Sequence, residues 1–166
     1  MNRLIVLSGV PGSGKSYFSA KIKDALKKHV YIISSDQLRY NILGNQRDLS
    51  EDPLIWEIYY SLVKTYSLDK EGTVVLDATH SKKIYRVDNI KPFKELYDQI
   101  DLVCFRLDKE LVIAQNKDRE NPIPRDDLLK LIDTFEMPDE EEKQFYDHLD
   151  IIKDHEIDKI INRYRK

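Results

Sequence analysis

Cysteine is nearly absent. Cys104 is the sole thiol in 166 residues, so the chain cannot form an internal disulfide. It sits in the apolar run DLVCFRL, and a buried core thiol is the expected state. With one cysteine and four scattered histidines, the spacing offers no closed zinc site. An excess of one charge is also missing: 27 Lys and Arg face 30 Asp and Glu, for a formal net charge of -3. That excludes the overall basic character of a chain with a long nucleic-acid footprint, but leaves room for a local basic patch. No apolar stretch approaches the length that spans a bilayer. The first apolar run is short and passes straight into a glycine-rich loop, so no signal peptide is expected, and a cytoplasmic location is. Repeats, low-complexity tracts and linkers are lacking as well.

What is present has an ordinary globular composition, 41% apolar and 34% charged, and the length suits one domain over residues 1–166. RLIVLS, from Arg3 to Ser8, is continuously apolar, as a central parallel strand buried on both faces requires. A helix follows, with Phe18, Ile22, Ala25 and Leu26 on one face. Further strands are expected at VYIIS, GTVVLDAT, IDLVCFRL and LDIIKD. Helices are expected over 36–42, 52–69, 81–97, 109–118, 126–135 and 155–165, with Asp36 and Asp108 as N-caps and Pro92 kinking or splitting its helix. RENPIPRDD has two prolines and no apolar period, so it is a loop. Strands alternating with helices imply a parallel sheet covered on both sides.

Between the first strand and the first helix lies GVPGSGKS, which fits G-x-x-x-x-G-K-S through Gly9, Gly14, Lys15 and Ser16. Glycines let backbone N–H groups approach phosphate oxygens, and the helix N-terminus adds positive potential. The stretch Gly12, Ser13, Gly14, Lys15, Ser16 and Tyr17 is therefore the candidate nucleotide-binding segment. Lys15 would reach the β- and γ-phosphates, and Ser16 would ligate Mg²⁺.

A phosphotransferase also needs a base, an acceptor site and charge at the transferring group. Asp36 ends the second strand and can accept a proton from a hydroxyl. Arg39, one helical turn on, is a candidate grip for an anionic acceptor. Asp77 ends the third strand and fits the second metal-binding position. Thr79 and Arg86 follow it as candidates for the acceptor side. Arg119 opens the proline loop, where a lid would carry its charge to the transition state. Arg125, beyond the prolines, is a candidate partner for the nucleotide base. NKDR at 116–119 imitates a guanine-reading motif, but its aspartate is one place early.

GVPGSGKS, SSDQLR, LDATH and NKDRENPIP…FEMP occur here in the order seen in the 5′-polynucleotide kinase type of P-loop phosphotransferase, and the chain resembles that family from about Leu4 to Phe145. The resemblance implies a three-layer P-loop NTPase or kinase fold: a five-stranded parallel sheet, helices on both faces and a small lid near 116–126. It implies ATP and Mg²⁺, with Asp36 as general base for a 5′-hydroxyl, Arg39 on the acceptor phosphate and Arg119 as the lid arginine. The chain departs from the pattern at Gln115, where arginine often opens the lid, and at His80, where asparagine is common. The expected acceptor is a nucleic-acid 5′-end. The alternative is a small molecule (sugar, nucleoside or nucleotide-sugar), as in a metabolite or toxin-like kinase.

Overall fold

The computed structural model describes every residue except 28, 107, 153–155 and 166. Strand β1 (Arg3–Ser8) leads into helix α1 (Lys15–Leu26), then β2 (Val30–Ser34), α2 (Ser35–Leu43) and α3 (Asp52–Tyr66). Strands β3 (Thr73–Asp77) and β4 (Gln99–Phe105) are followed by α4 (Lys109–Lys117), α5 (Arg125–Thr134), α6 (Glu140–Lys143), β5 (His148–Ile152) and α7 (Ile157–Tyr164). The five strands are all parallel and lie in the order β2-β3-β1-β4-β5. This is the expected P-loop architecture.

Alternation along the strands divides the core. Leu4, Val6, Val74, Leu76 and Leu102 face one way, onto Tyr59 and Val63 of α3 and onto Phe93 and Tyr97. Ile5, Leu7, Val75 and Val103 face the other way, onto Phe18 and Ile22 of α1 and Ile160 and Tyr164 of α7. Leu4 to Leu7 are therefore wholly buried, which is why β1 reads as one apolar run. A third cluster, Val10 with Val112, Leu128 and Ile132, anchors α4 and α5 to the loop after β1. Cys104 is buried, as expected.

Several local expectations are revised. The cap of α2 is Ser34, whose Oγ accepts from the Gln37 amide at 3.2 Å, and Asp36 lies inside the first turn. Helix α3 stops at Tyr66, short of Asp69, whose carboxylate instead meets His29 and Tyr31 at 2.6 and 2.8 Å. The helix expected over 81–97 survives only as a π-helical turn at Ile84–Asp88 and a 3-10 turn at Lys91–Leu96, with Pro92 at the start of the second. The ends expected for the last strand and the start of the last helix fall partly on residues 153–155, outside the described residues. Among the described residues, no helix is long and apolar enough to cross a membrane.

One buried ion pair ties the segment after β3 to α6. Arg86 donates from Nε and Nη2 to Glu142 at 2.8 and 2.9 Å, and from Nη1 to the His80 carbonyl at 3.0 Å. Arg86 is 0% and Glu142 2% exposed, so removing either charge strands the other in the core. Arg86→Met should lower unfolding free energy by about 3–5 kcal/mol. Arg86→Met with Glu142→Leu should regain more than half of the loss. Urea denaturation of the three proteins checks this, and a neutral Arg86→Met would refute it.

Candidate functional site

The loop from Gly9 to Gly14 rises from the rigid end of β1. Gly12 and Gly14 hold φ of +82° and +106°, which side chains resist. A Cβ at Gly9 would sit 2.5 Å from Ser13 Oγ and 3.1 Å from Phe105 Cβ, so a side chain here would have to turn Ser13 aside. Ser13 Oγ is buried and has no hydrogen-bond partner among the described residues. A glycine loop of this kind lets its backbone approach a phosphate oxygen closely.

Lys15 folds back over this loop, donating from Nζ to the carbonyls of Gly9 and Val10 at 2.8 and 3.0 Å. Burial holds its ammonium down at about 8; Asp77 and Asp36 raise it, and Arg119 lowers it further. These four charged groups thus share one field. Asp77, at the tip of β3, accepts from Ser16 Oγ at 3.2 Å and Ser19 Oγ at 3.5 Å. Burial raises its pKa, opposed by Lys15 and the two serines. Ser16 and Asp77 form a hard-oxygen pair of the kind that suits Mg²⁺ together with phosphate oxygens. Among the described residues, no cluster of three or more His, Cys, Asp or Glu could hold a metal by itself.

Asp36 faces the same cavity, of about 950 Å³, with its side chain 58% exposed. Arg39 Nη1 donates to Asp36 Oδ1 at 3.3 Å, while its Nε and Nη2 hold Asp52 Oδ1 at 3.0 and 2.9 Å. The guanidinium lies 5.7 Å from the Trp56 ring centre. Arg39 is therefore buried, bonded to two carboxylates and not among the residues that line the cavity. Thr79, Tyr17 and Arg119 do line the cavity. Arg86 does not, being enclosed with Glu142. Arg125 is exposed at the start of α5 and lines neither this cavity nor its neighbour.

That neighbour, about 300 Å³, is the part that sequence reasoning missed. It lies beyond Tyr17 and Gln115 and is walled by Phe105, Arg106, Leu111, Ile152 and Ile157. The strand-end Phe105 was its only sequence signal, because β5 and α7 meet it only in the fold. Asn116 was also missed. Its amide bonds Ile123 in both directions, at 2.8 and 3.0 Å, closing the proline loop into a fixed arch. Arg47 donates to the Asn121 carbonyl, joining the arch to the segment between α2 and α3.

Residues 4–138 match the family described as AAA domain. The chain belongs to that family. Protein kti12 of Schizosaccharomyces pombe is 26% identical over 146 residues, covering 81% of this chain and 52% of that protein. The chain thus spans about half the length of this relative. A solved structure of Chaetomium thermophilum Kti12 in complex with ADP-AlF3 superposes with a TM-score of 0.75 at 19% identity, over 97% of this chain and 96% of that one. The Pnkp1/Rnl/Hen1 RNA repair complex contains a chain similar at TM-score 0.66 and 24% identity, over 80% of this chain and 43% of that one. A gluconokinase from Sinorhizobium meliloti 1021 gives 0.62 and 19%, over 95% and 86%. These likenesses share the P-loop, kinase-like fold.

In this AAA domain His80 sits directly behind the loop. Its φ is +41°, and its ring is buried, with Nδ1 2.5 Å from the Leu7 carbonyl and Nε2 3.4 Å from the Tyr59 hydroxyl. Burial pushes the imidazole down to about 4, and Lys15 and Arg86 add repulsion. The unfolded chain binds this proton near pH 6.5, the folded chain only near 4, so stability is full above 6.5 and is lost as pH falls toward 4. The loss amounts to at most about 3 kcal/mol. Asparagine tolerates positive φ, so His80→Asn should fold and flatten the stability curve between pH 6.5 and 4. Thermal unfolding of both proteins across that window checks this, and identical slopes would contradict it.

Proposed function

We propose that this AAA domain transfers the γ-phosphate of ATP to the 5′-hydroxyl end of a polynucleotide. The observation that carries the proposal is the position of Asp36. A carboxylate held by Arg39 opens onto the cavity that also holds Lys15, Asp77 and Arg119. The larger cavity has room for a triphosphate and an incoming hydroxyl together. The smaller one, apolar on most sides and adjoining Gly14 and Tyr17, suits the nucleotide base.

In the proposed reaction Asp36 accepts the proton of the acceptor hydroxyl. The freed oxygen forms a bond to the γ-phosphorus as the bond to the β–γ bridging oxygen breaks, leaving ADP. Lys15 turns from its own loop carbonyls to the β- and γ-phosphates. Arg119 balances the charge that spreads over the transferring oxygens. Ser16 and Asp77 would hold Mg²⁺, which supplies charge neutralisation at the phosphates. Likeness to a chain of an RNA repair complex supports a polynucleotide acceptor, and likeness to a gluconokinase supports a small one. A second reading, nucleotide hydrolysis with water as acceptor, is favoured by the open Asp36 side chain and by the match to Kti12 along nearly the whole chain.

Radiolabelled ATP offered with 5′-hydroxyl oligonucleotides and a panel of small alcohols separates these readings. Label on the oligonucleotide is expected, whereas label only on a small alcohol, or only free phosphate, would overturn the proposal. Asp36→Asn should cut transfer by about 10²–10⁴-fold with ATP affinity retained. Arg119→Ala should cost roughly a hundredfold in turnover, and an effect confined to stability would make this arginine structural.

A further inference from the structure

Helix α2 carries more than the candidate base on its open face. Asp36 and Tyr40 are four residues apart, so their side chains lie on one face, about 6 Å apart along the axis. Both line the larger cavity. Tyr40 is 59% exposed, and among the described residues its ring and hydroxyl have no hydrogen bond, stacking or cation contact. The other cavity-lining tyrosine differs: Tyr17 has Lys21 Nζ 5.4 Å from its ring centre and borders the smaller cavity too. An aromatic ring left bare beside a charged centre has a face free for a planar ligand.

The wall continues from Tyr40 in a consistent chemistry. Gly44 ends α2 at φ +77°, a turn that brings Asn45 and Gln46 onto the same cavity. Gln37, bonded to Asn41 at 2.9 Å, lines it from the near side. Outward from Asp36 the wall therefore carries one ring and three amide side chains. Amides offer both donors and acceptors, as the edge of a nucleobase does. Among the described residues, Gln37, Tyr40, Asn45 and Gln46 on this wall include no cation to follow a phosphate backbone, as a long polyanion would need.

We propose that Tyr40 is the stacking platform for the terminal nucleoside of the acceptor, and that Gln37, Asn45 and Gln46 contact the edge of its base. The inference rests on the polynucleotide reading above. One helical turn between carboxylate and ring is comparable with the separation of a 5′-oxygen from the base of the same nucleoside. Recognition is thus confined to the end of the strand, with its 5′-hydroxyl at Asp36.

The test is direct binding together with transfer, on the full chain. Anisotropy of a 3′-dye-labelled 5′-hydroxyl oligonucleotide, titrated with wild type, Tyr40→Ala and Tyr40→Trp in the presence of ADP, reads the platform without chemistry. Tyr40→Ala should weaken oligonucleotide binding roughly tenfold or more, Tyr40→Trp should restore it, and ADP affinity should not change. Shortening the acceptor to a dinucleotide should weaken binding by less than about threefold, since one base is stacked. Equal binding by wild type and Tyr40→Ala, with transfer intact, would overturn the platform and leave the proposed reaction standing. Tyr40-dependent binding without transfer would keep the platform and remove the reaction. No oligonucleotide binding by wild type would overturn both.

Discussion

Everything at the site depends on burying β1 on both faces. Leu4 to Leu7 are closed to water by α3 on one side and by α1 and α7 on the other. A strand packed this way cannot shift register without moving apolar groups onto the wrong face. Its C-terminal end is therefore a fixed point, and the glycine loop starts from it. Asp77 shares that fixed frame through the pairing of β1 with β3, and β2 brings Ser34 opposite Asp77. The anion cradle, the buried carboxylate and the candidate base are thus placed by three adjacent strands.

Charge at the site is balanced partly within it and partly by buried groups behind it. Lys15 and Asp77 are both buried, and each moves the other toward its ionised form against the cost of desolvation. Two buried arginines act as struts. Arg39 ties Asp36 to Asp52 and packs against Trp56, so the outward carboxylate is held by an inward cation. Arg86 joins the segment after β3 to α6 and holds the His80 carbonyl, which also accepts from Ser8 Oγ at 2.9 Å. His80 is thereby locked in a strained backbone directly behind the loop.

The parts legible in the sequence are those carried by local chemistry. The apolar run of β1, the G-x-x-x-x-G-K-S spacing and the amphipathic face of α1 each fix their element within a few residues, so the cradle follows, while the strand order β2-β3-β1-β4-β5 emerges only in the fold. The Asp108 cap of α4 is equally local, with the Leu111 amide 3.1 Å from its Oδ1. What was not legible depends on distant partners. A string showing Arg39 and Arg86 does not show Asp52 or Glu142, and a paired arginine looks like a free one. The same holds for Asn116, which imitates a guanine motif while bonding to Ile123. The smaller cavity is assembled from β4, α4, β5 and α7, so no single segment announces it.

The two cavities also separate two approaches to the cradle. Gly14, Tyr17 and Gln115 line both and so mark the divide. On the α7 side the walls mix apolar side chains with Arg106, Asp108 and Gln115; on the α2 side the larger cavity is more polar, and its lining residue Asn121 accepts from Arg47. The arch over the cavity is fixed at its base by Asn116 and joined at its tip by that single exposed contact. The tip contact is the weaker of the two attachments, because a bond open to water exchanges for hydration at little cost. Under the proposed reaction, then, a nucleotide can settle from the α7 side without disturbing the arch. The end of an acceptor meets Asp36 from the α2 side, where that carboxylate already lies open.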